Sequence, residues 1–120
     1  NYCLNWDLNM RHCECLCAGG FLLTPDLREF GMGELFEDGK HLVTYRNYNI
    51  DDAIEKARYY VAHDEEREAI ADAGAAHIRA NHTYSHRVKT ILKEARTRGI
   101  WSDAPVLAEE FEKYKEEVTV

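Results

Sequence analysis

Apolar residues along this chain follow two patterns, helical spacing over most of the sequence and short continuous runs near its start. Helical spacing, with apolar residues three and four positions apart, predicts helices that each bury one face. The continuous runs, at residues 2–6, 21–23 and 41–45, predict short parallel strands that are covered on both faces. The pattern therefore predicts an α/β fold with a short parallel sheet of about three strands, flanking helices and a helical C-terminus.

The first predicted helix lies between the first two strands, at about residues 10–17. Its apolar face is predicted to consist of Met10, Cys13, Leu16 and Cys17. Asn9 is the expected N-cap, because its side-chain oxygen can accept a hydrogen bond from an N–H of the first turn. Gly19 and Gly20 are expected to end the helix, because glycine reaches the left-handed conformation without steric cost. The charge that fits no packing role is Glu14, in the middle of this helix.

Four more helices are predicted from residue 50 onward, each with an apolar stripe. Their predicted caps are, in order, Asn49, Asp64, Asn81 or Thr83, and Ser102 or Asp103. Their apolar stripes are Ile50, Ala53, Ile54, Ala57 and Val61; Ile70, Ala73, His77 and Ile78; Val88, Ile91, Leu92 and Ala95; and Leu107, Phe111, Tyr114 and Val118. The predicted organisation is a sheet-containing domain at residues 1–100, followed by a C-terminal helix at 101–120.

Composition excludes several classes of protein. A chain of 120 residues is expected to form one domain with its own core. No run approaches the ~20 apolar residues of a membrane span, so no transmembrane segment is expected. The formal net charge of −7 argues against nucleic acid as a partner, which would require a basic surface.

The cysteines and histidines do not predict a metal centre or a catalytic group. The cysteines are Cys3, Cys13, Cys15 and Cys17, and they lack the second, distant pair of a structural zinc site. They are expected to be small buried residues in a reducing compartment, which predicts a cytoplasmic protein. His82 and His86 are four positions apart, but no glutamate follows His82 as in a zinc-binding helix. A thiolate metal site is kept as a weaker alternative.

Residues 11–24 resemble a family pattern, Arg-x-Phe-Glu-Ala-Leu-Ala-Cys-Gly-Gly-Phe-Leu-Leu-Thr. The pattern occurs in group 1 glycosyltransferases with two Rossmann domains, the GT-B type, and among them in the CgeB-like spore-maturation glycosyltransferases. The identical residues are Arg11, Glu14, Leu16, Gly19, Gly20, Phe21, Leu22, Leu23 and Thr24. The likeness continues at residues 33–40, 42–45, 58–63, 65–67 and 82–87, so it covers about residues 5–95.

The resemblance implies that the chain is the later half of a donor-binding, Rossmann-like C-terminal domain. Glu14 matches a glutamate that binds the ribose hydroxyls of a nucleotide-sugar. Asn9 and Arg11 would face the diphosphate, because N–H groups and the positive dipole end of a helix favour anions there. Plain capping by Asn9 and a simple surface charge at Arg11 are the alternatives. The nucleotide-sugar is a substrate, and no cofactor is expected.

The resemblance also sets limits on what this chain does alone. The acceptor-binding N-terminal domain would be missing, so the chain by itself is expected to be inactive. Many retaining relatives carry a glutamate eight positions before the one that matches Glu14, but Trp6 stands there in this chain, with Asp7 beside it. A second hypothesis is a non-catalytic binding or assembly module that keeps the fold and docks a partner on the stripe of its last helix.

Overall fold

The computed structural model of this protein describes residues 8–100. Its helices are α1 (Met10–Cys17), α2 (Met32–Leu35), α3 (Ile50–Ala62), α4 (Asp64–Asn81) and α5 (Tyr84–Thr97). Its strands are β1 (Leu23–Pro25) and β2 (Val43–Tyr45), and a 3₁₀ turn covers Arg28–Phe30. The predicted α/β class, with a parallel sheet and flanking helices, is confirmed. The predicted strand at residues 2–6 and the predicted helix at 101–120 lie outside the described residues.

The chain divides into two compact units, and the boundary in sequence falls between Asn81 and His82. The first unit contains the sheet and helices α1 to α4, and the second contains α5. The domain limit predicted at residue 100 stays a prediction, because it coincides with the end of the described residues.

β1 and β2 are parallel neighbours, with Thr24 opposite Thr44 in the centre of the ladder. The Asp26 N–H donates to the Tyr45 carbonyl at 3.0 Å, so alternate residues of the first strand turn their backbone groups towards β2. This alternation turns the nitrogen of Pro25 away from β2, where its missing N–H is not needed. Pro25 therefore continues the strand. The bounds predicted for this strand, residues 21–23, were therefore wrong.

β2 is shorter than the predicted run at 41–45, because His41 and Leu42 belong to the tight turn that precedes the strand. The Gly39 N–H donates to the Leu42 carbonyl at 2.8 Å, and the His41 N–H donates to the Glu37 carbonyl at 3.0 Å. Gly39 has a φ of 77°, in the left-handed region that glycine favours. Asp38 and Gly39 thus lie in a tight turn, which an Asp-Gly pair favours.

The core of the first unit is formed by apolar residues from the helices, the strands and the connections between them. Its main cluster consists of Leu16, Leu22, Leu27, Met32, Phe36, Leu42 and Ile78. α1 approaches α4 at Gly74, where an added Cβ would lie 2.9 Å from Leu16 Cδ2 and 2.4 Å from the His41 carbonyl oxygen. The absence of a side chain at Gly74 therefore lets α1 and the turn before β2 pack closely on α4.

α1 buries a different face from the one predicted. His12 and Leu16, four positions apart, are both fully buried, whereas Met10 is 60 % exposed and Cys17 is also exposed. The predicted face was therefore right for Leu16 and wrong for Met10 and Cys17. The polar ring of His12 is accommodated in the interior because both of its nitrogens have hydrogen-bond partners.

α3 also departs from its predicted stripe. Ile50 and Val61 are 74 % and 73 % exposed. The side of α3 that is partly covered includes Tyr60 and Lys56, and the Lys56 ammonium donates to the Thr44 carbonyl of β2. α3 thus joins the sheet by a polar contact as well as by apolar packing.

Within residues 8–100, the helix starts follow the predicted caps with one exception, at α4. Asn49 and Thr83 cap α3 and α5, and the side-chain oxygen of each accepts a backbone N–H of the first turn. Asp64 was predicted to cap α4 but is its first helical residue. The His63 carbonyl accepts the Arg67 N–H at 3.0 Å, so the helical hydrogen bonding begins one residue earlier than predicted.

Candidate functional site

The start of α1 is organised by Asn9. Asn9 has an extended backbone, with φ −78° and ψ 165°, and its Oδ1 accepts the Arg11 N–H at 3.1 Å. This is the predicted N-cap, and it satisfies one of the N–H groups that a helix start leaves without an intrahelical partner. The positive end of the helix dipole lies at this turn.

Arg11 and Glu14 lie on the solvent side of α1. Their side chains are 69 % and 55 % exposed, and Arg11 Nη1 lies 4.0 Å from Glu14 Oε2. An exposed ion pair at this distance contributes little to stability, so a ligand can replace the contact at small cost. The N-cap and the first two turns of α1 thus contain the three predicted site residues, and both charged groups are accessible to solvent.

His12 is a polar residue of this region to which the sequence assigned no role. Its ring is fully buried, with Nε2 lying 3.1 Å from Thr24 Oγ1 in β1 and Nδ1 lying 3.1 Å from the Asn9 carbonyl oxygen. Nδ1 also lies 3.2 Å from Asn9 Oδ1. The signal that points to a buried His12 is its position four residues before Leu16, but the ring's partner in β1 is not evident from sequence.

A groove of about 520 Å³ opens beside α1. Its lining residues are Arg11, Cys15, Phe21, Leu22, Leu23, Ala57, Tyr60, Val61 and Arg67. The rings of Phe21 and Tyr60 meet in it with their centroids 4.8 Å apart and a tilt of 40°. Arg11 belongs both to this groove and to the predicted site, so an aromatic and aliphatic surface adjoins the charged side of α1.

Comparison with known families shows a match over most of the chain. A family model described as glycosyl transferase-like matches residues 1–93, more than three quarters of the chain. The chain belongs to the glycosyl transferase-like family. No curated protein and no solved structure matches it. The match covers α1 and the whole sheet, so the expectation of a glycosyltransferase family from the pattern at residues 11–24 is confirmed at this level.

Two aspartates of this glycosyl transferase-like chain, Asp26 directly after β1 and Asp52 in the first turn of α3, are paired with arginines. The hydrogen bond from Arg28 to the Asp26 carboxylate, 2.9 Å from Nε to Oδ1, holds the pKa of Asp26 below its ordinary value although burial opposes this. The Arg46 N–H donates to Asp52 Oδ2 at 2.7 Å, and this bond is the main cause of the lowered pKa of Asp52. A hydrogen bond from a neighbouring arginine therefore favours the ionised form of each of these two aspartates.

Two further histidines of the glycosyl transferase-like chain, His41 and His77, pack against each other. His77 Nε2 lies 2.7 Å from the Leu35 carbonyl oxygen, and its ring stacks on that of His41 with centroids 4.0 Å apart. Between residues 8 and 100, no group of three or more histidines, cysteines, aspartates or glutamates could hold a metal ion. In the same part of the chain, no helix is long and apolar enough to cross a membrane.

Proposed function

We propose that this chain is the donor-binding portion of a glycosyltransferase that transfers a sugar from a nucleotide-sugar to an acceptor. Membership of the glycosyl transferase-like family supports the reaction class. The observation that supports a donor site is the exposed carboxylate of Glu14 beside the exposed guanidinium of Arg11. Both lie within about one turn of the capped start of α1. Such a site presents an acceptor for hydroxyl groups next to a donor for phosphate.

In this proposal Glu14 binds the ribose. An ionised carboxylate accepts hydrogen bonds through two oxygens, which suits the adjacent 2′ and 3′ hydroxyls of a nucleoside, and acidic residues hold ribose in this way in dinucleotide-binding folds. The competing contact is the 4.0 Å approach of Arg11 to Glu14, which is too long for a hydrogen bond. Glu14 therefore keeps its acceptor capacity for a ligand.

The diphosphate lies, in the same proposal, at the start of α1. The Arg11 guanidinium supplies paired N–H donors that match phosphate oxygens, and the positive end of the helix adds a favourable field. Asn9 takes part by holding the first turn in place, because its Oδ1 is engaged by the Arg11 N–H. None of the residues in the described range 8–100 is proposed as a catalytic base. Acceptor binding and catalysis belong to a further, GT-B-type domain of the parent protein.

The test is an amide-shift NMR titration of the chain with UDP, GDP and their nucleotide-sugars, repeated on Glu14→Ala. We expect shift changes centred on residues 9–16 with one base preferred. Loss of hydrogen bonds to a charged acceptor costs about 1.5–3 kcal/mol, so Glu14→Ala should weaken the affinity by about tenfold to a hundredfold. The matched control is Glu55→Ala, which removes an exposed glutamate from α3 and should leave the affinity unchanged.

The titration also has a clear opposite outcome. A folded chain whose amide shifts respond to none of the nucleotides contradicts a donor site on α1. Binding that survives Glu14→Ala with unchanged affinity contradicts the role of this carboxylate. Shift changes around Phe21 and Tyr60 alone would place the ligand in the groove instead.

A further inference from the structure

His12 is the buried polar group that connects the start of α1 to the sheet. Its ring nitrogens lie on opposite sides of the imidazole, one at Asn9 before the helix and the other at Thr24 in β1. His12 and Thr24 are both 0 % exposed. A hydrogen bond in such an interior is costly to leave unmade, so this connection fixes the first turn of α1 relative to β1.

The partners of the ring also determine its tautomer. Nδ1 faces two acceptors of Asn9, the carbonyl oxygen at 3.1 Å and Oδ1 at 3.2 Å, so Nδ1 carries a hydrogen. The assignment of Oδ1 as the oxygen is independently required, because the same atom accepts the Arg11 N–H at 3.1 Å. Thr24 Oγ1, which can donate or accept, faces Nε2 at 3.1 Å and can donate to it.

The imidazole of His12 thus helps to orient the capping side chain of Asn9. Asn9 Oδ1 receives N–H groups from both Arg11 and His12, and the two donors together hold the capping side chain in one orientation. A helix of eight residues has little stability of its own, so its first turn depends on such contacts. The same turn sets the direction in which the Arg11 side chain projects from the helix.

We propose that His12 is a positioning residue for nucleotide binding, acting through the N–H at its Nδ1 on Asn9 and hence on the first turn that carries Arg11. The inference rests on the proposed function, because it concerns the same donor site. His12 itself does not touch the ligand. Its two contacts have separable roles, since the bond to Thr24 anchors the ring and the bond to Asn9 orients the cap.

The experiment compares His12→Gln with His12→Asn in the nucleotide titration. The amide nitrogen of asparagine replaces Nδ1 and can restore the bond to Asn9, whereas that of glutamine replaces Nε2 and can restore only the bond to Thr24. We expect His12→Gln to weaken the nucleotide affinity by about fivefold to tenfold, in keeping with the net value of one hydrogen bond. We expect His12→Asn to recover most of this loss.

A purely structural role is separated by stability measurements. Urea unfolding of both variants should show losses of similar size, because each lacks one of the two bonds. Ile78→Val, which removes a methyl group from the core at a residue of α4 that is 2 % exposed, supplies a control that is destabilised in urea but keeps its affinity. Equal affinities of the Gln and Asn variants would overturn the positioning role, and so would a loss of affinity in Ile78→Val that matches that of His12→Gln.

A measurement on the unsubstituted chain covers the case in which neither variant folds. Ring ¹⁵N NMR of His12 should show the Nδ1–H tautomer at neutral pH, and the opposite tautomer would overturn the proposal. The failure of the proposed function has a different signature, because the unsubstituted chain would then bind no nucleotide at all. In that event the donor site and the positioning role fail together, whatever the tautomer.

Discussion

Asp38 shows how a single side chain supports β2. Its Oδ1 accepts the Thr44 N–H at 2.7 Å, and its Oδ2 accepts the Thr44 hydroxyl at 2.7 Å. Thr44 is only 3 % exposed, so these two donors have little access to water. The carboxylate therefore supplies the hydrogen bonds that solvent cannot supply, and it ties the turn at Gly39 to the middle of the strand.

Asp38→Ala should consequently destabilise the chain. Two buried donors of Thr44 lose this acceptor, and the expected loss in the free energy of unfolding is about 1–3 kcal/mol by urea denaturation. Asp72→Ala, which removes an exposed aspartate from α4, is the matched control and should change the free energy by less than about 0.5 kcal/mol. Equal effects of the two substitutions would show that the bonds to Thr44 carry no net stability.

At the scale of elements, the contact between α1 and α4 depends on Gly74. An alanine at this position would gain helix propensity, worth about 1 kcal/mol, but its Cβ would meet the His41 carbonyl oxygen at 2.4 Å. The backbone there cannot move aside as a flexible side chain would. We expect Gly74→Ala to lower the free energy of unfolding by about 1–2 kcal/mol after both effects are counted.

Gly33→Ala in α2 is the control for this prediction. A Cβ at Gly33 would come no closer than 3.7 Å to Arg28, which is an ordinary contact, so the substitution should be neutral or slightly stabilising. Urea unfolding of the two variants separates close packing from helix propensity. A stabilised Gly74→Ala variant would mean that α4 can shift away from α1 without loss.

α5 begins with a reciprocal pair of hydrogen bonds. Thr83 Oγ1 accepts the His86 N–H at 3.4 Å, and the Thr83 N–H donates to His86 Nδ1 at 3.3 Å. This is a capping box in which histidine takes the place of the usual glutamate or glutamine. The sequence left Asn81 and Thr83 as alternative starts, and the reach of His86 back to Thr83 decides between them.

Thr83→Ala should loosen the first turn of α5 by about 1 kcal/mol, the usual value of an N-cap. Amide hydrogen exchange at residues 84–87 measures this locally, and exchange there should become about fivefold faster. Thr90→Ala removes a hydroxyl that donates to the His86 carbonyl within the helix, and it should leave exchange at the start unchanged. Unchanged exchange in both variants would rule out a capping contribution by Thr83.

At the scale of the whole molecule, carboxylates with lowered pKa values connect stability to pH. The pKa values of Asp26, Glu37 and Asp52 are lowered chiefly by hydrogen bonds from Arg28, Lys40 and the Arg46 backbone, respectively. Because these groups release their protons more readily when folded, the unfolded chain binds more protons at acid pH. Their contribution to stability is complete above the ordinary pKa values near 4 and is lost as the pH falls through the lowered values.

The free energy of unfolding should therefore decrease with falling pH below about pH 4.5. Asp52→Asn removes one of the three groups, so the curve of stability against pH should be less steep for this variant than for the unsubstituted chain. Urea denaturation between pH 5 and pH 3 measures both curves. Parallel curves would show that the bond from the Arg46 N–H to Asp52 does not favour the ionised form.

The predicted site illustrates which functional features are evident from sequence. Asn9, Arg11 and Glu14 were chosen from helical spacing and a family pattern, and α1 does bring them together at its start. Ligand binding by these residues stays a prediction. His12 was not chosen, because its importance depends on Thr24, which lies twelve positions away and faces it only once β1 is packed on α1.

The sequence by itself determined the features that depend on neighbours within about four residues. These are the caps at Asn9 and Asn49 and the glycine turns at Gly19 and Gly39, because one or two local hydrogen bonds and the sign of φ decide them. Helical spacing also located α3 and α4, although not the sides that they bury.

The tertiary structure alone decided burial and register. The side of α1 that faces inward, the exposure of Ile50 and Val61, and the placing of Pro25 within β1 each depend on elements that are distant in sequence. An apolar stripe indicates that a helix has a side suited to burial, but the surface of the element packed against it determines which side is covered. In this chain the close approach at Gly74 of α4 and the buried, hydrogen-bonded ring of His12 determine which side of α1 faces inward. Local periodicity carries no information about the shape of the opposing element.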